Sequence, residues 1–177
     1  ARLPRAAASG PKDRQPLVRG GGADCAAIAC PPKMAVSTDL VVEGGHFRRS
    51  YFSPCAIGHK ALAVNISDVA AAGARPLGIS VGLVAPVPFP RADAEGILDG
   101  MFHAAQAHGI ALTGGDLSKG NKLAFCVTIW GAPLIPEGPA GARGNTPRFL
   151  RRGPVAPGDA LFVCGRLGLA RAGLLAL

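Results

Sequence analysis

Aromatic residues are scarce in this chain: Trp130 and Tyr51 are the sole examples of their kinds, and seven phenylalanines complete the set among 177 residues. A core must therefore be packed from aliphatic side chains and alanine, for which a hydrophobic content of 49% suffices. Acids are also few, eleven against nineteen basic residues, for a net charge of +8. That balance suits either nucleic acid or phosphorylated small molecules. The bases gather at the two ends, with Arg143, Arg148, Arg151, Arg152, Arg166 and Arg171 in the last third, and no aromatic residues interleave them. The stacking surfaces of an RNA or single-stranded DNA binder are missing, and no nucleic-acid partner is expected. Long apolar runs are absent too: the stretch 77–90 is interrupted by Pro86, Pro88 and Pro90, so no membrane span is expected. Cys25, Cys30, Cys55, Cys126 and Cys164 are odd in number and form no C-x-x-C pair, which supports neither a disulfide framework nor a zinc site. A reduced, cytoplasmic compartment is the expectation.

What the chain has in quantity is glycine and proline, 25 and 16 residues, which divide it into short elements. The longest segment with one clear period is 53–76. Ser53 is a good helix N-cap, Pro54 suits the first helical position, and Gly73 with Pro76 supplies the stop. Leu62, Ile66 and Val69 share a face at i, i+4, i+7, which predicts its burial. Ala61, Asn65, Asp68 and Ala72 form a second stripe, small or polar, read as a face that lets something polar come close.

The remainder alternates. Residues 34–37 read as a strand with Thr38 and Asp39 at its exit, 77–84 as a buried strand, 93–108 as an amphipathic helix stopped by Gly109, 110–112 as a strand left through Thr113-Gly114-Gly115-Asp116, 123–130 and 160–164 as further strands, and 167–177 as the start of a helix. The expected fold is α/β, an α+β sandwich in which a mixed four- to five-stranded sheet carries helices on one face. The expected organisation is a disordered basic leader over 1–19, a first domain over 20–150 and the start of a truncated second domain over 151–177.

Four aspartates carry the chemistry: Asp24 after three glycines, Asp39 and Asp116 read as lying past strand ends, and Asp68 on the helix. If they converge, their mutual repulsion demands cations, and hard divalent metals are the natural answer. Carboxylates with the hydroxyls of Ser37 and Thr38 are what Mg²⁺ takes, and such a cluster near arginines and glycine-rich backbone suits a nucleoside triphosphate. For any one aspartate alone, a turn-forming role is the commoner one. Gly115 and Gly120 have Walker A spacing, but Asn121 stands in the lysine position, so this is not a P-loop. His103 and His108, five apart, fall on different helix faces; His59 reads as a helix-surface residue. His46, between Gly45 and Phe47, is the histidine a substrate could reach.

Ser37-Thr38-Asp39, Val42-Glu43-Gly44-Gly45-His46-Phe47, the run from Lys60 to Asp68 with its Val-Asn-Ile-Ser-Asp end, Gly114-Gly115-Asp116 and Pro157-Gly158-Asp159 occur in the order and spacing of the thiamine-monophosphate kinase family, which the chain resembles from about Gly20 onward. That family belongs with aminoimidazole ribonucleotide synthetase, selenophosphate synthetase and the hydrogenase-maturation dehydratase. The resemblance implies ATP-dependent phosphorylation of thiamine monophosphate to thiamine diphosphate by direct in-line transfer, and a homodimer whose amino-terminal sheets close into a barrel. It implies Asp24, Ser37, Thr38, Asp39, Asp68 and Asp116 as Mg²⁺ ligands, His46 at the substrate, Gly115 and Asp116 at the nucleotide, and Arg152 at the ATP phosphates. Ala23 stands where the family has an acid, and the later S-D-G segment with the thiamine-holding groups falls outside this sequence. Two rival expectations are a non-catalytic dimerisation or nucleotide-binding module of this descent, and another ATP-using enzyme of the same superfamily.

Overall fold

The computed structural model describes residues 17–19, 25–134, 149–153 and 155–177. Asp24 and most of the expected leader lie outside the described residues. Within that leader, β1 (Leu17–Arg19) is a strand, paired antiparallel with β2 (Ala27–Ile28) in a small ribbon.

The organising helix forms where its caps place it. In α1 (Pro54–Ala71) the Ser53 hydroxyl accepts the Ala56 N–H at 3.2 Å, Pro54 occupies the first turn, and Gly73 leaves with φ +65°, a conformation that favours glycine. The expected stop at Pro76 lies instead inside β4 (Ala74–Ala85). Proline is tolerated there because β5 (Ala111–Lys119) begins to pair with β4 only at Gly78, so the missing N–H at Pro76 leaves no ladder bond broken on that side.

Four strands make the main sheet, in the order β3 (Ala35–Val42), β6 (Ala124–Pro133), β4, β5. β3 and β4 run antiparallel to β6, while β4 and β5 are parallel, joined through α2 (Arg91–Ala107). α1 lies on the sheet and α2 packs beside it, so the mixed four-stranded sheet with helices on one face is as expected. Two expectations give way. Asp39 and Asp116 sit within β3 and β5 rather than past strand ends, because the neighbouring strands continue to pair with them. Residues 160–164 form no strand: Leu161, Phe162 and Val163 are exposed, with no neighbouring strand to pair with among the described residues, and only α3 (Leu169–Leu175) follows.

The core lies between helices and sheet. Phe47, Ile57, Leu62, Val69, Ile79, Phe125, Val127 and Ile129 are almost wholly buried, each worth about 1.5–3 kcal/mol of transfer free energy. Because α1 is covered by the sheet on one side and α2 on another, the small stripe is not an open face in its first half: Ala61 and Asn65 are fully buried, Ala72 is half-buried, and only Asp68 is exposed. Alanine at 61 follows from that crowding. Asn65 donates from Nδ2 to the Ala61 carbonyl at 3.1 Å, while its Oδ1 is buried without a partner.

Candidate functional site

The expected site residues fall into three places. The first lies between β3 and the last turns of α1, where Ser37 Oγ donates to Asp68 Oδ2 at 2.7 Å across 31 positions of sequence. β3 places Ser37 and Asp39 on the same side: their partners in β6 are Ile129 and Val127, both buried under the helices. Asp68 is exposed and forms no salt bridge among the described residues. The segment 149–153 arrives at the same end of α1, where the Leu150 N–H donates to the Ala72 carbonyl at 2.9 Å; Arg152, two positions on, is exposed.

The second place is the other, uncovered side of the sheet. Thr38 faces it, its hydroxyl 2.9 Å from that of Thr128. Asp116 is aligned with Gly82, which is aligned with Cys126 and through it with Leu40, so Asp116 and Asp39 stand on opposite sides of the sheet as well as on opposite edge strands. Three strand spacings separate those edges, roughly 14 Å. Gly115 has a packing reason for its identity: a Cβ there would overlap the Val81 carbonyl oxygen of β4. This uncovered side is apolar along β3, with Val36 59% and Leu40 63% exposed.

The third place is the turn after β3, which holds His46 at the far end of that strand from Ser37, roughly 17 Å along it. His46 is exposed, and its Nδ1 accepts the Val42 N–H at 3.0 Å. The turn is braced by a residue that the sequence did not single out. Glu43 accepts from Arg49 Nε at 2.8 Å and from the Leu123 N–H at 3.2 Å. The Arg49 guanidinium holds the Glu43 carboxyl below its usual 4.5, with the Leu123 N–H and the charge of Lys122 acting in the same direction against the cost of burial. An acid six positions before an arginine was the available signal.

A carboxylate with a lowered pKa stabilises the fold fully above its unfolded value, and that contribution is lost as pH falls through the lower folded value. Glu43→Gln is therefore expected to destabilise the chain at neutral pH by up to about 1 kcal/mol, the partly exposed Arg49 limiting the effect. Urea unfolding should show the difference closing as the solution is made acidic; a gap that persists unchanged in acid would assign the effect to something other than the charge.

Among the described residues, no three His, Cys, Asp or Glu side chains form a ready-made metal cage. The donors at the first place nevertheless fit magnesium: a hydroxyl and two carboxylates are hard oxygen ligands, Asp68 has no ion-pair partner among the described residues, and Mg²⁺ keeps several of its waters. His59 and His103, on different helices, line an open groove of about 660 Å³ between α1 and α2, and none of the described aspartates singled out above borders it. All five cysteines are free and exposed. No helix of the described residues is long and apolar enough to cross a membrane.

Helices on one side of a mixed sheet, with acids on its edge strands and on the covering helix, define an α/β domain of the expected fold, and comparison with known proteins gives that domain its family. Residues 22–132 match the model of the AIR synthase related protein, N-terminal domain, and the chain belongs to that family. Within it, the chain is 36% identical over 154 residues to the thiamine-monophosphate kinase of Synechococcus elongatus, which covers 85% of this chain and 44% of that protein. The crystal structure of the thiamine monophosphate kinase of Aquifex aeolicus superposes with a TM-score of 0.70 at 33% identity, over 81% of this chain and 44% of that one. A structure of AaThiL complexed with AMPPCP and TMP superposes with a TM-score of 0.69 at 33% identity, over 81% of this chain and 42% of that one. The chain thus spans less than half the length of these relatives.

Proposed function

We infer that this chain supplies the nucleotide- and metal-binding half of an ATP-dependent kinase that converts thiamine monophosphate to thiamine diphosphate. The observation that carries the reading is the Ser37–Asp68 junction, a carboxylate with no ion-pair partner among the described residues, fixed beside a strand that also bears Asp39, in a chain similar to a kinase complexed with AMPPCP and TMP.

In this reading Ser37, Asp39 and Asp68 would hold Mg²⁺ on the helix side of β3, Thr38 and Asp116 would contribute from the uncovered side, and Asp24, outside the described residues, would add a further carboxylate. Magnesium, when bound, would supply positive charge against that of the triphosphate. Ser37 keeps the Asp68 carboxylate turned toward β3. Arg152, at the end of α1, meets the phosphates of ATP, and Gly115 with Asp116 lies along the nucleotide. His46 holds the acceptor substrate. The acceptor oxygen belongs to a phosphate that is already ionised at neutral pH, so it attacks the terminal phosphorus of ATP without a general base; that is why no side chain is assigned as one. ADP leaves with the electron pair of the broken bond.

Asp39 and Asp116 are too far apart in one chain to share a metal. We place a second copy on the uncovered sheet side, where Val36 and Leu40 would be buried and acids of two chains brought near each other. Five free cysteines accord with a cytoplasmic site.

The test is formation of thiamine diphosphate from thiamine monophosphate and ATP in the presence of Mg²⁺, by a protein that includes this chain. Product formation that stops on chelation supports the reading. ATP binding without product from a complete protein would support a nucleotide-binding module instead, and phosphorylation of a different acceptor would point to another enzyme of the superfamily.

A further inference from the structure

The turn after β3 fixes more than the position of His46; it fixes which of its nitrogens carries the proton. Val42 lies at the end of an edge strand, where its backbone groups have no strand neighbour on the outer side among the described residues. His46 takes that neighbour's place with two bonds to one residue: its own N–H donates to the Val42 carbonyl at 2.9 Å, and its Nδ1 accepts the Val42 N–H at 3.0 Å. A nitrogen that accepts a backbone N–H carries no proton of its own. In the neutral ring the proton is therefore on Nε2, on the far side of an exposed imidazole, as a donor with no protein partner among the described residues.

The turn is held in this form from behind. The Gly45 N–H donates to the Val42 carbonyl at 3.2 Å and the Gly44 N–H to the Phe47 carbonyl at 2.8 Å, while Phe47 is buried against Phe125. Glu43 ties the turn to β6 twice, by its N–H to the Leu123 carbonyl at 2.9 Å and by its carboxylate to the Leu123 N–H, and Arg49 closes the clamp. The Lys122 ammonium lies beside Gly44 at the same turn.

We propose that His46 is a fixed-tautomer donor, its Nε2–H reserved for a phosphate oxygen of the bound substrate, with Glu43 and Arg49 as positioning residues that hold the turn in register. The inference rests on the reading of His46 as a substrate contact and adds the atom, the direction of the hydrogen bond and the part of the ligand it meets. A ring free to exchange tautomers would spend part of its time offering an acceptor to an anion. Here the backbone removes that state.

The experiment has an arm that needs no ligand. Long-range ¹⁵N–¹H correlation spectra of the labelled chain should show His46 as a single Nε2–H tautomer. Glu43→Ala should introduce the second tautomer or average the two. An Nδ1–H ring in the parent chain overturns the proposal, and an unchanged tautomer in Glu43→Ala overturns the role given to Glu43. The second arm is titration with inorganic phosphate, thiamine monophosphate and unphosphorylated thiamine. The first two should move the His46 Nε2 resonance and thiamine alone should not; the reverse pattern, or no movement with any of them, overturns the phosphate assignment. In a protein that turns over thiamine monophosphate, His46→Gln, which keeps a donor near Nε2, should leave KM within a few-fold, while His46→Asn, which keeps only the acceptor facing Val42, should raise it roughly 10-fold or more. Equal losses in both variants would overturn the donor role. If the protein forms no thiamine diphosphate at all, the kinase reading fails, while the tautomer result stands or falls separately.

Discussion

Gly100→Ala is expected to lower the melting temperature of this chain by roughly 10 °C or more, from a loss of about 3 kcal/mol. The reason lies in how α1 and α2 meet. Each helix presents a buried glycine to the backbone of the other: a Cβ on Gly100 would overlap the Cys55 carbonyl oxygen, and one on Gly58 would overlap that of Ile97. Alanine has the better helix propensity, by about 1 kcal/mol, so in an uncrowded helix the substitution would stabilise. Here the obstacle is main chain and cannot rotate away. The helices must separate, and separation loosens the contacts of Ile57, Ile97 and Met101, which fill the core beside the crossing. Gly173→Ala in α3 is the control, because nothing lies within 4 Å of its added methyl, and it should melt at or slightly above the parent temperature. A Gly100→Ala chain that melts with the control would mean that the two helices do not cross at these glycines.

Asp68→Asn should act in the opposite sense, leaving the fold alone and removing the chemistry. The amide oxygen can still accept from Ser37 Oγ, and Asp68 is exposed, so no buried charge or cavity changes. The formal negative charge is what disappears. If Asp68 holds Mg²⁺ at the triphosphate, turnover in a protein that includes this chain should fall by on the order of 10²–10³-fold, equivalent to about 3–4 kcal/mol of transition-state stabilisation. Thermal unfolding without ligand should be unchanged, and the dependence of rate on Mg²⁺ concentration should move to higher values. A fully active Asp68→Asn protein would remove this residue from the metal site and leave the Ser37 contact as a structural tie.

How far the fold could be read in advance varies with the kind of signal. α1 was legible because local chemistry determines it: a serine cap, a proline in the first turn and a glycine at the exit act within a few residues of one another. The stripe through Ala61 and Asn65 was misread because small residues serve two purposes. They leave room for a ligand, or for a neighbouring element, and only the tertiary arrangement says which; here the sheet and α2 occupy the room. Asp39 and Asp116 looked like loop residues since polar and glycine-rich segments commonly end strands. The pairing of β3 with β6 and of β5 with β4 carries both strands through them, and pairing is long-range information. The same ignorance of register hid the fact that the two acids lie on opposite sides of the sheet. The Ser37–Asp68 contact was legible as chemistry, in the types of residue chosen, but not as a distance. The Glu43–Arg49 clamp went unnoticed because its third member, Leu123, arrives from 80 positions away.

The strand order has a bearing on how such a chain is made. β3 leaves the ribosome early, yet among the described residues the only strand it pairs with is β6, about ninety positions later, and β6 is also the partner that joins it to β4. Until that strand emerges, the nascent polypeptide can assemble the α1–α2 pair and the parallel β4–β5 unit, but β3 must wait with its hydrogen-bonding groups in water. Translation past residue 133 is thus the event that commits the domain, and a stall before it leaves an apolar half-sheet for chaperones to shield.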